Sequence, residues 1–245
     1  MKQRNILPLF LALAIPCALP AKEAAPAIEP AAKALLEESV KAVGGKDALL
    51  KIKSRVIEAE FAMPAQGITM KMKIKQKSPE KMVTMMEAPG MTVEQGYDGK
   101  TAWAKDPIQG VRKLAGAELE QAKEAASISP ELQLMKDLTS AKLLEDVVEA
   151  GKTLKVIKVT AKGTPPKTLY LDKETKLLAK MTSNVATGPD GKMEVTTFMS
   201  DYKELDGIKY PSSIKMKTLG QDIQVTYSNV EHNVELDDAI FALPE

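Results

Sequence analysis

The stretch Ile68-Thr-Met-Lys-Met-Lys-Ile-Lys75 carries the clearest structural pattern in the sequence, because apolar and polar residues alternate along its whole length. Successive side chains of a β-strand point to opposite faces of a sheet, so this alternation is typical of a strand with one buried face. The face predicted to be buried carries Ile68, Met70, Met72 and Ile74, and the opposite face carries lysines. The stretch therefore predicts an amphipathic strand.

The same alternation extends outward from this strand over most of residues 56–230. The runs are separated by the turn signals Pro64-Ala-Gln-Gly67, Asp98-Gly99, Gly188-Pro-Asp-Gly191 and Asp206-Gly207. Such turns join antiparallel strands, so we predict an antiparallel meander of about eleven strands, with residues 141–149 as one of them. A sheet of this length has to pair with a second sheet, close into a barrel or be covered by helices.

Four segments break the period-two pattern and show the apolar spacing of helices. They are residues 30–43, 46–52, 115–126 and 130–138. Pro30 suits a first helical position, and Gly44-Gly45 suits the end of a helix. Segment 115–126 is rich in alanine and contains a single leucine, Leu119, so its attachment to a sheet would be weak. We expect this segment to form a displaceable lid, and the fold class to be mainly β (α+β).

The composition argues against catalysis and against nucleic-acid binding. Lys plus Arg is 34 and Asp plus Glu is 33, and this net charge of +1 provides no field that attracts nucleic acid. The chain has one His, His232, and one Cys, Cys17. A zinc site needs three or four such ligands, and a catalytic triad would have to use His232. We therefore expect no catalytic residues, no metal and no cofactor. Asp237-Asp238 is interpreted as the start of a helical turn.

The N-terminus has the organisation of an export signal. Lys2 and Arg4 precede an apolar segment, residues 6–15, which has the length of a signal-peptide core and is too short to span a bilayer. Residues 1–21 are therefore interpreted as a signal peptide that is cleaved after Ala21. The prediction that follows is a periplasmic protein.

Two further expectations concern the segments around the cleavage site. Pro16 stands where lipidation requires a small residue before the cysteine, so anchoring of the protein through Cys17 is not expected. Residues 22–29 are rich in Ala and Pro and are interpreted as a flexible tether. No shift in composition divides the remainder, so residues 30–245 are predicted to form a single domain.

The apolar faces of the predicted strands are rich in methionine and poor in aromatic residues. The chain has 13 Met, but only one Trp, five Tyr and four Phe. Methionine is flexible and polarisable, so these side chains either fill a core or line a deformable apolar cavity. The candidate ligand-binding residues of such a cavity are Ile68, Met70, Met72, Ile74, Met82, Trp103, Leu119, Leu169, Leu171, Met199, Met216 and Val225.

Two of these features have alternative interpretations. Trp103 follows a turn, and it either packs at the rim of the sheet or contacts the ligand. The lysine row Lys71, Lys73, Lys75 and Lys77 is either a solvated strand face or a surface that meets anionic headgroups or a carrier partner.

Five motifs, taken in order along the chain, resemble the outer-membrane lipoprotein-sorting (LolA/LolB-like) carrier proteins. They are LLEESVKAVGGKDALLKIKS (35–54), MPAQG (63–67), EQGYDGKTAW (94–103), DYKELDGIKYP (201–211) and VEHNVELDDAIF (230–241). The resemblance implies a strongly curved, incompletely closed antiparallel β-barrel whose open side is covered by helices. In the characterised carriers, the apolar concavity takes the acyl chains of lipoproteins and moves them across the periplasm.

The resemblance and the composition together lead to one expected function and one alternative. The expected function is a monomeric periplasmic carrier in outer-membrane biogenesis, which holds lipid or lipoprotein acyl chains and exchanges them with an inner- or outer-membrane protein partner. The alternative is an envelope scaffold or sensor that does not transport, because the barrel is filled by its own side chains.

Overall fold

One curved antiparallel sheet of fourteen strands is the framework of the chain in the computed structural model, which describes residues 27–186, 192–218 and 220–244. In chain order the strands are β1 (Ser54–Met63), β2 (Ile68–Lys77), β3 (Lys81–Ala88), β4 (Met91–Tyr97), β5 (Ala102–Asp106), β6 (Gly110–Lys113), β7 (Leu138–Leu143), β8 (Val147–Glu149), β9 (Lys152–Ala161), β10 (Lys167–Asp172), β11 (Leu178–Ala186), β12 (Lys192–Leu205), β13 (Ile208–Thr218) and β14 (Gln221–His232). The sheet is not closed, so the predicted mainly β, incompletely closed barrel is confirmed.

The strand order shows where the barrel is open. Strands follow β6-β5-β4-β3-β2-β1-β14-β13-β12-β11-β10-β9-β7, and β8 pairs with β9. The first and last strands, β1 and β14, are therefore neighbours in the middle of the sheet, and β6 and β7 are its two edges. The chain that connects these edges contains α3 (Gly116–Ala126) and α4 (Pro130–Asp137), so helices cross the open side.

The expected strand count was too low for two reasons. The four-residue strand β6 carries only one aliphatic side chain, Val111, and therefore has no alternation to detect. Residues 141–149, predicted as one strand, belong to two strands, β7 and β8, which pair with different parts of β9. Pairing partners of this kind depend on tertiary contacts that a local pattern does not encode.

The four predicted helical segments are all helical. The two near the N-terminus are α1 (Pro30–Ala42) and α2 (Gly45–Lys51), and Pro30 and Pro130 occupy the first turns of α1 and α4. Gly44 joins α1 to α2 with φ +132, and a Cβ there would lie 2.4 Å from the carbonyl oxygen of Gly207. Glycine is required at this position by both its backbone conformation and the close approach of the β12–β13 turn.

Helices α1 and α3 cover different halves of the concave face. The α1 residues Ala32, Leu35 and Leu36 pack on a cluster that includes Ile157 of β9 and Leu171 of β10. The α3 residues Ala122 and Ala126 pack on a second cluster, which comprises Met82, Tyr97, Ala102 and Leu114. The space between these two clusters is where a cavity remains.

The C-terminal segment packs on the convex face. A helical turn, Asp238–Phe241, begins after Asp237, whose carboxylate accepts a hydrogen bond from the backbone N–H of Ala239 at 2.9 Å. The predicted helical turn is thereby confirmed. Phe241 is completely buried against Val83 of β3 and Trp103 of β5.

Part of the predicted N-terminal organisation lies outside the described residues. The signal peptide (1–21), Cys17 and residues 22–26 of the predicted tether are in this group. Residues 27–29 are bound to the sheet edge, since the N–H of Glu29 donates to the carbonyl of Ala141 at 2.9 Å. These last three residues of the predicted tether therefore pair with the edge strand β7. Within the described ranges, no helix is long and apolar enough to cross a membrane.

Candidate ligand-binding cavity

A cavity of about 370 Å³ lies between the concave face of the sheet and helices α1 and α4. Its lining is mainly apolar and comes from elements that are distant in sequence. Representative lining residues are Leu36 and Val40 of α1, Leu134 and Met135 of α4, Met181 of β11 and Val230 of β14. Ligand pockets of proteins have volumes of about 300–1,000 Å³, so this cavity is at the small end of that range.

Three of the sequence-predicted site residues line this cavity directly. They are Leu169 and Leu171 of β10 and Met199 of β12. Three others, Met72, Met216 and Val225, belong to the adjoining cluster around Ile57 and Val230, and these two residues also line the cavity. The predicted concave apolar surface is thus continuous, although only part of it faces the enclosed volume.

The remaining candidates on β2 and α3 lie outside the enclosed volume. Ile74, Met82 and Leu119 belong to the cluster under α3. Met70 is half-buried and pairs in register with Phe61 of β1, whereas Ile68 is 37% exposed at the start of β2. The helix α3 therefore shields one part of the predicted surface. Another part of that surface, at the start of β2, lies towards the end of the barrel.

Trp103 lies on the opposite face of the sheet from the cavity. Its register partner is Gly96, and a Cβ at Gly96 would lie 2.3 Å from the Trp103 ring. The indole is 1% exposed and donates a hydrogen bond to the carbonyl of Phe241 at 2.9 Å. The prediction that Trp103 contacts a ligand is therefore corrected: the C-terminal segment covers this side chain on the convex face.

A polar cluster interrupts the apolar wall of the cavity at the start of β1 and the end of β2. Arg55 of β1 lines the cavity, and its Nε and Nη2 donate to Oε1 of Gln76 at 3.0 and 2.6 Å. The Gln76 Nε2 in turn donates to the carbonyl of Ala125 at 2.9 Å and to that of Ser127 at 3.3 Å. Gln76 therefore connects Arg55 to the C-terminal end of α3.

Burial shifts the titration of the groups in this cluster. Desolvation lowers the pKa of Arg55, and nearby Tyr227 and Glu131 partly oppose this shift. Desolvation also raises the pKa of Glu131, whereas a hydrogen bond to its own backbone and the charge of Arg55 lower it. The pKa of the Tyr202 hydroxyl is raised by burial, and this hydroxyl donates to the carbonyl of Leu178 at 2.8 Å. The cluster thus favours neutral groups around the half-buried cation Arg55.

An ion pair links α3 to β10 at another part of the lining. Lys167 of β10 pairs with Glu124 of α3, and both residues line the cavity. Burial lowers the pKa of Lys167. The helix α3 is therefore attached at its C-terminal end to both sides of the cavity.

Two of the four lysines in the row on the convex side form ion pairs with acidic neighbours. Lys73 pairs with Glu58 at 2.9 Å, and Lys77 pairs with Asp238 at 2.7 Å. Lys71 stands opposite Glu60 in the β1–β2 register. This pattern supports the solvated-face interpretation of the row, because paired charges attract anionic headgroups weakly.

His232, at the end of β14, contacts the turn between β12 and β13. Its Nδ1 lies 3.0 Å from Oδ2 of Asp206, and its side chain is 2% exposed. Within the described residues, no group of three or more His, Cys, Asp or Glu side chains is arranged to hold a metal ion.

Sequence reasoning missed Arg55, Gln76 and Glu131 as lining or supporting groups. A signal for Gln76 was present, because positions 68, 70, 72 and 74 are apolar and position 76 continues the same face. A polar residue in an apolar register predicts a buried polar contact. The same argument applies to Arg55, which shares a face of β1 with Ile57 and Ala59. No comparable signal marked Glu131, since α4 brings it to the cavity through tertiary packing.

Comparisons with known proteins show the fold. No protein-family model matches the sequence, and no curated protein sequence matches it. The chain is similar to the crystal structure of a DUF1329 family protein from Desulfovibrio piger, with a TM-score of 0.61, 17% identity, and coverage of 86% of this chain and 97% of that chain.

Two further solved structures have comparable similarity. One is a putative outer membrane lipoprotein-sorting protein domain from Vibrio parahaemolyticus, with a TM-score of 0.60, 15% identity, and coverage of 86% of this chain and 96% of that chain. The other is a LolA superfamily protein from Nitrosomonas europaea, with a TM-score of 0.58, 15% identity, and coverage of 86% and 97%. The chain therefore has the fold of the LolA-superfamily and DUF1329 proteins, in agreement with the resemblance of its motifs.

Proposed function

We propose that this protein binds acyl chains of lipids or lipoproteins in the cavity and carries them through the periplasm without chemical change. The observation that carries the proposal is the apolar cavity of about 370 Å³ between the concave sheet and the helices. The fold shared with a lipoprotein-sorting domain supports the same function.

The volume and the transfer free energy are consistent with reversible binding. A methylene group is similar in size to a water molecule, which occupies about 30 Å³ in the liquid, so the cavity accommodates roughly twelve such groups. Burial of about twelve methylene groups at about 0.8 kcal/mol each contributes roughly 10 kcal/mol. Association and ordering cost several kcal/mol, so the net affinity is compatible with release.

The lid helix supports a carrier over a self-filled scaffold. Only Ala122 and Ala126 of α3 are fully buried, and Leu119 is partly buried. Two alanines and one leucine bury little apolar surface, so α3 is held mainly by polar contacts, which are the Lys167–Glu124 pair, the Gln76 hydrogen bonds and the Arg112–Glu118 pair. Water can replace polar contacts of this kind when the helix moves, and a scaffold with a self-filled barrel would not require the cavity.

The proposed location and partners follow from the same function. The export signal interpreted at residues 1–21 favours the periplasm. A carrier there takes its cargo from one membrane and delivers it to the other, which favours transient contact with an inner- or outer-membrane protein. We propose a monomer, since one chain forms both the sheet and its covering helices.

The test uses a cavity-blocking variant and a matched control. Met199→Trp adds an indole to the cavity wall, whereas Ile108→Trp adds the same group to a turn residue that is 92% exposed. We expect wild type and Ile108→Trp to bind a fluorescent twelve-carbon acyl probe, and folded Met199→Trp to bind it at least tenfold more weakly. Native mass spectrometry should detect lipid on purified wild type. Equal probe binding by both variants, or no binding by wild type, would contradict the proposal.

A further inference from the structure

Arg55 is a charged, half-buried side chain in the wall of a mainly apolar cavity, and its partial removal from water is costly. Desolvation lowers its pKa, which shows that the surroundings disfavour its charge. A guanidinium in such surroundings is stabilised by an anionic acceptor, because charge-assisted hydrogen bonds to carboxylate or phosphate are stronger than those to neutral groups.

The contacts of Arg55 leave part of its hydrogen-bonding capacity open. Within the described part of the chain, its one hydrogen-bond acceptor is the neutral amide oxygen of Gln76, which contacts Nε and Nη2. Guanidinium has five N–H donors in a planar fork, so Nη1 keeps both of its donors. Glu131 interacts with Arg55 through space but forms no ion pair with it.

We infer that Arg55 binds the anionic headgroup, a carboxylate or a phosphate, of an acyl ligand whose chain lies along Leu169, Leu171 and Met199; this inference rests on the proposed function. The planar fork of guanidinium matches the oxygens of both headgroup types. The three apolar side chains line the same cavity as Arg55.

The neighbouring groups are compatible with an anion at this position. Glu131 is the acidic side chain that interacts electrostatically with Arg55, and burial raises its pKa towards the neutral form, which reduces its repulsion of the headgroup. Tyr202 and Tyr227 line the same cavity, and their hydroxyl groups are neutral because burial raises the pKa of both. The headgroup would therefore meet the Arg55 guanidinium beside neutral tyrosine hydroxyl groups, whereas Lys167 in the same lining is already paired with Glu124.

The experiment compares ligands that share a twelve-carbon chain and differ in the headgroup. Lauric acid, dodecyl phosphate and methyl laurate are each used at pH 8 to displace the fluorescent acyl probe from wild type, Arg55→Gln and Arg112→Gln. Arg112 is a suitable control because it is on the edge strand β6 and binds Glu118 at 2.9 Å. We expect wild type and Arg112→Gln to bind at least one anion tenfold or more tightly than the ester. In Arg55→Gln the difference should fall below threefold, with ester affinity unchanged.

The outcomes separate this inference from the proposed function. Preference for lauric acid assigns a carboxylate, and preference for dodecyl phosphate assigns a phosphate. Equal binding of anions and ester by wild type overturns the headgroup site but leaves acyl-chain binding intact, whereas no binding of any ligand overturns the proposed function itself.

A second measurement on wild type applies if Arg55→Gln does not fold. The chain has three arginines, Arg4, Arg55 and Arg112, so their Nε–H NMR signals are few enough to assign. We expect lauric acid or dodecyl phosphate to shift the Arg55 signal and methyl laurate to leave it in place. An unchanged Arg55 signal at saturating anion would reject the inference.

Discussion

The indole Nε1–H of Trp103 donates to the carbonyl oxygen of Phe241 at 2.9 Å, across 138 positions of sequence. This hydrogen bond and the burial of Phe241 against Val83 attach the C-terminal segment to the convex face of β3 and β5. The contact stabilises the side of the sheet that faces away from the cavity. Its loss should therefore affect stability and leave ligand binding intact.

Trp103→Phe tests this separation. The variant leaves the buried carbonyl of Phe241 without its donor and removes part of a buried ring, which together should lower the free energy of unfolding by about 2 kcal/mol. Urea unfolding measures the change. The folded variant should bind the acyl probe like wild type, because Trp103 does not line the cavity. A folded Trp103→Phe protein with weakened probe binding would show that the convex face takes part in binding.

Gly96→Ala tests the close contact beneath the same ring. An added Cβ would lie 2.3 Å from the Trp103 side chain, so one of the two residues has to move. We expect a loss of about 1–3 kcal/mol, typical of overpacking. In a Trp103→Ala background the same substitution should cost much less, because the clashing ring is absent. A double-mutant cycle by urea unfolding measures this coupling, and additive effects would argue against the contact.

A disulfide between α3 and the sheet tests the lid hypothesis. Ala122 of α3 and Ala102 of β5 belong to one buried cluster, and Ala102→Cys/Ala122→Cys in a Cys17→Ser background would join them. After oxidation, with loss of free thiols verified, uptake of the acyl probe should be at least tenfold slower than in the reduced protein. Reduction should restore the rate. Equal uptake rates in the two redox states would rule out movement of α3 as the entry step.

The lowered pKa of His232 predicts that the stability of the protein depends on pH. Burial lowers the pKa of its imidazole below the ordinary value of 6.5, the charge of Arg55 lowers it further, and Asp206 opposes both effects. Above pH 6.5 both folded and unfolded chains hold a neutral His232. Below this pH the unfolded chain takes up the proton first, so stability should fall as the pH falls towards the folded-state pKa.

His232→Gln should remove that part of the pH dependence. The measurement is the urea midpoint at pH 7.5 and at pH 5.5, for wild type and variant. We expect a larger decrease in wild type than in His232→Gln. Identical decreases would show that other groups account for the acid sensitivity of this fold.

The local sequence determined the elements of this protein and the faces of its strands. Alternation in residues 68–75 correctly assigned Met72 and Ile74 to the concave side, and Pro30 and Pro130 marked the starts of two helices. These inferences succeed because the side-chain period and the backbone limits of proline act within a few residues.

The tertiary structure alone decided how those faces are used. Because β1 pairs with β14, the open side of the barrel lies between β6 and β7, and Arg55 is the register partner of His232. The C-terminal segment covers Trp103 on the convex face, and α4 brings Glu131 to the cavity that Arg55 lines. Period-two alternation specifies which residues share a face, but long-range packing specifies what covers each face. For this reason the sequence predicted an apolar concave surface, and only the packing of distant segments placed a charged group within its cavity.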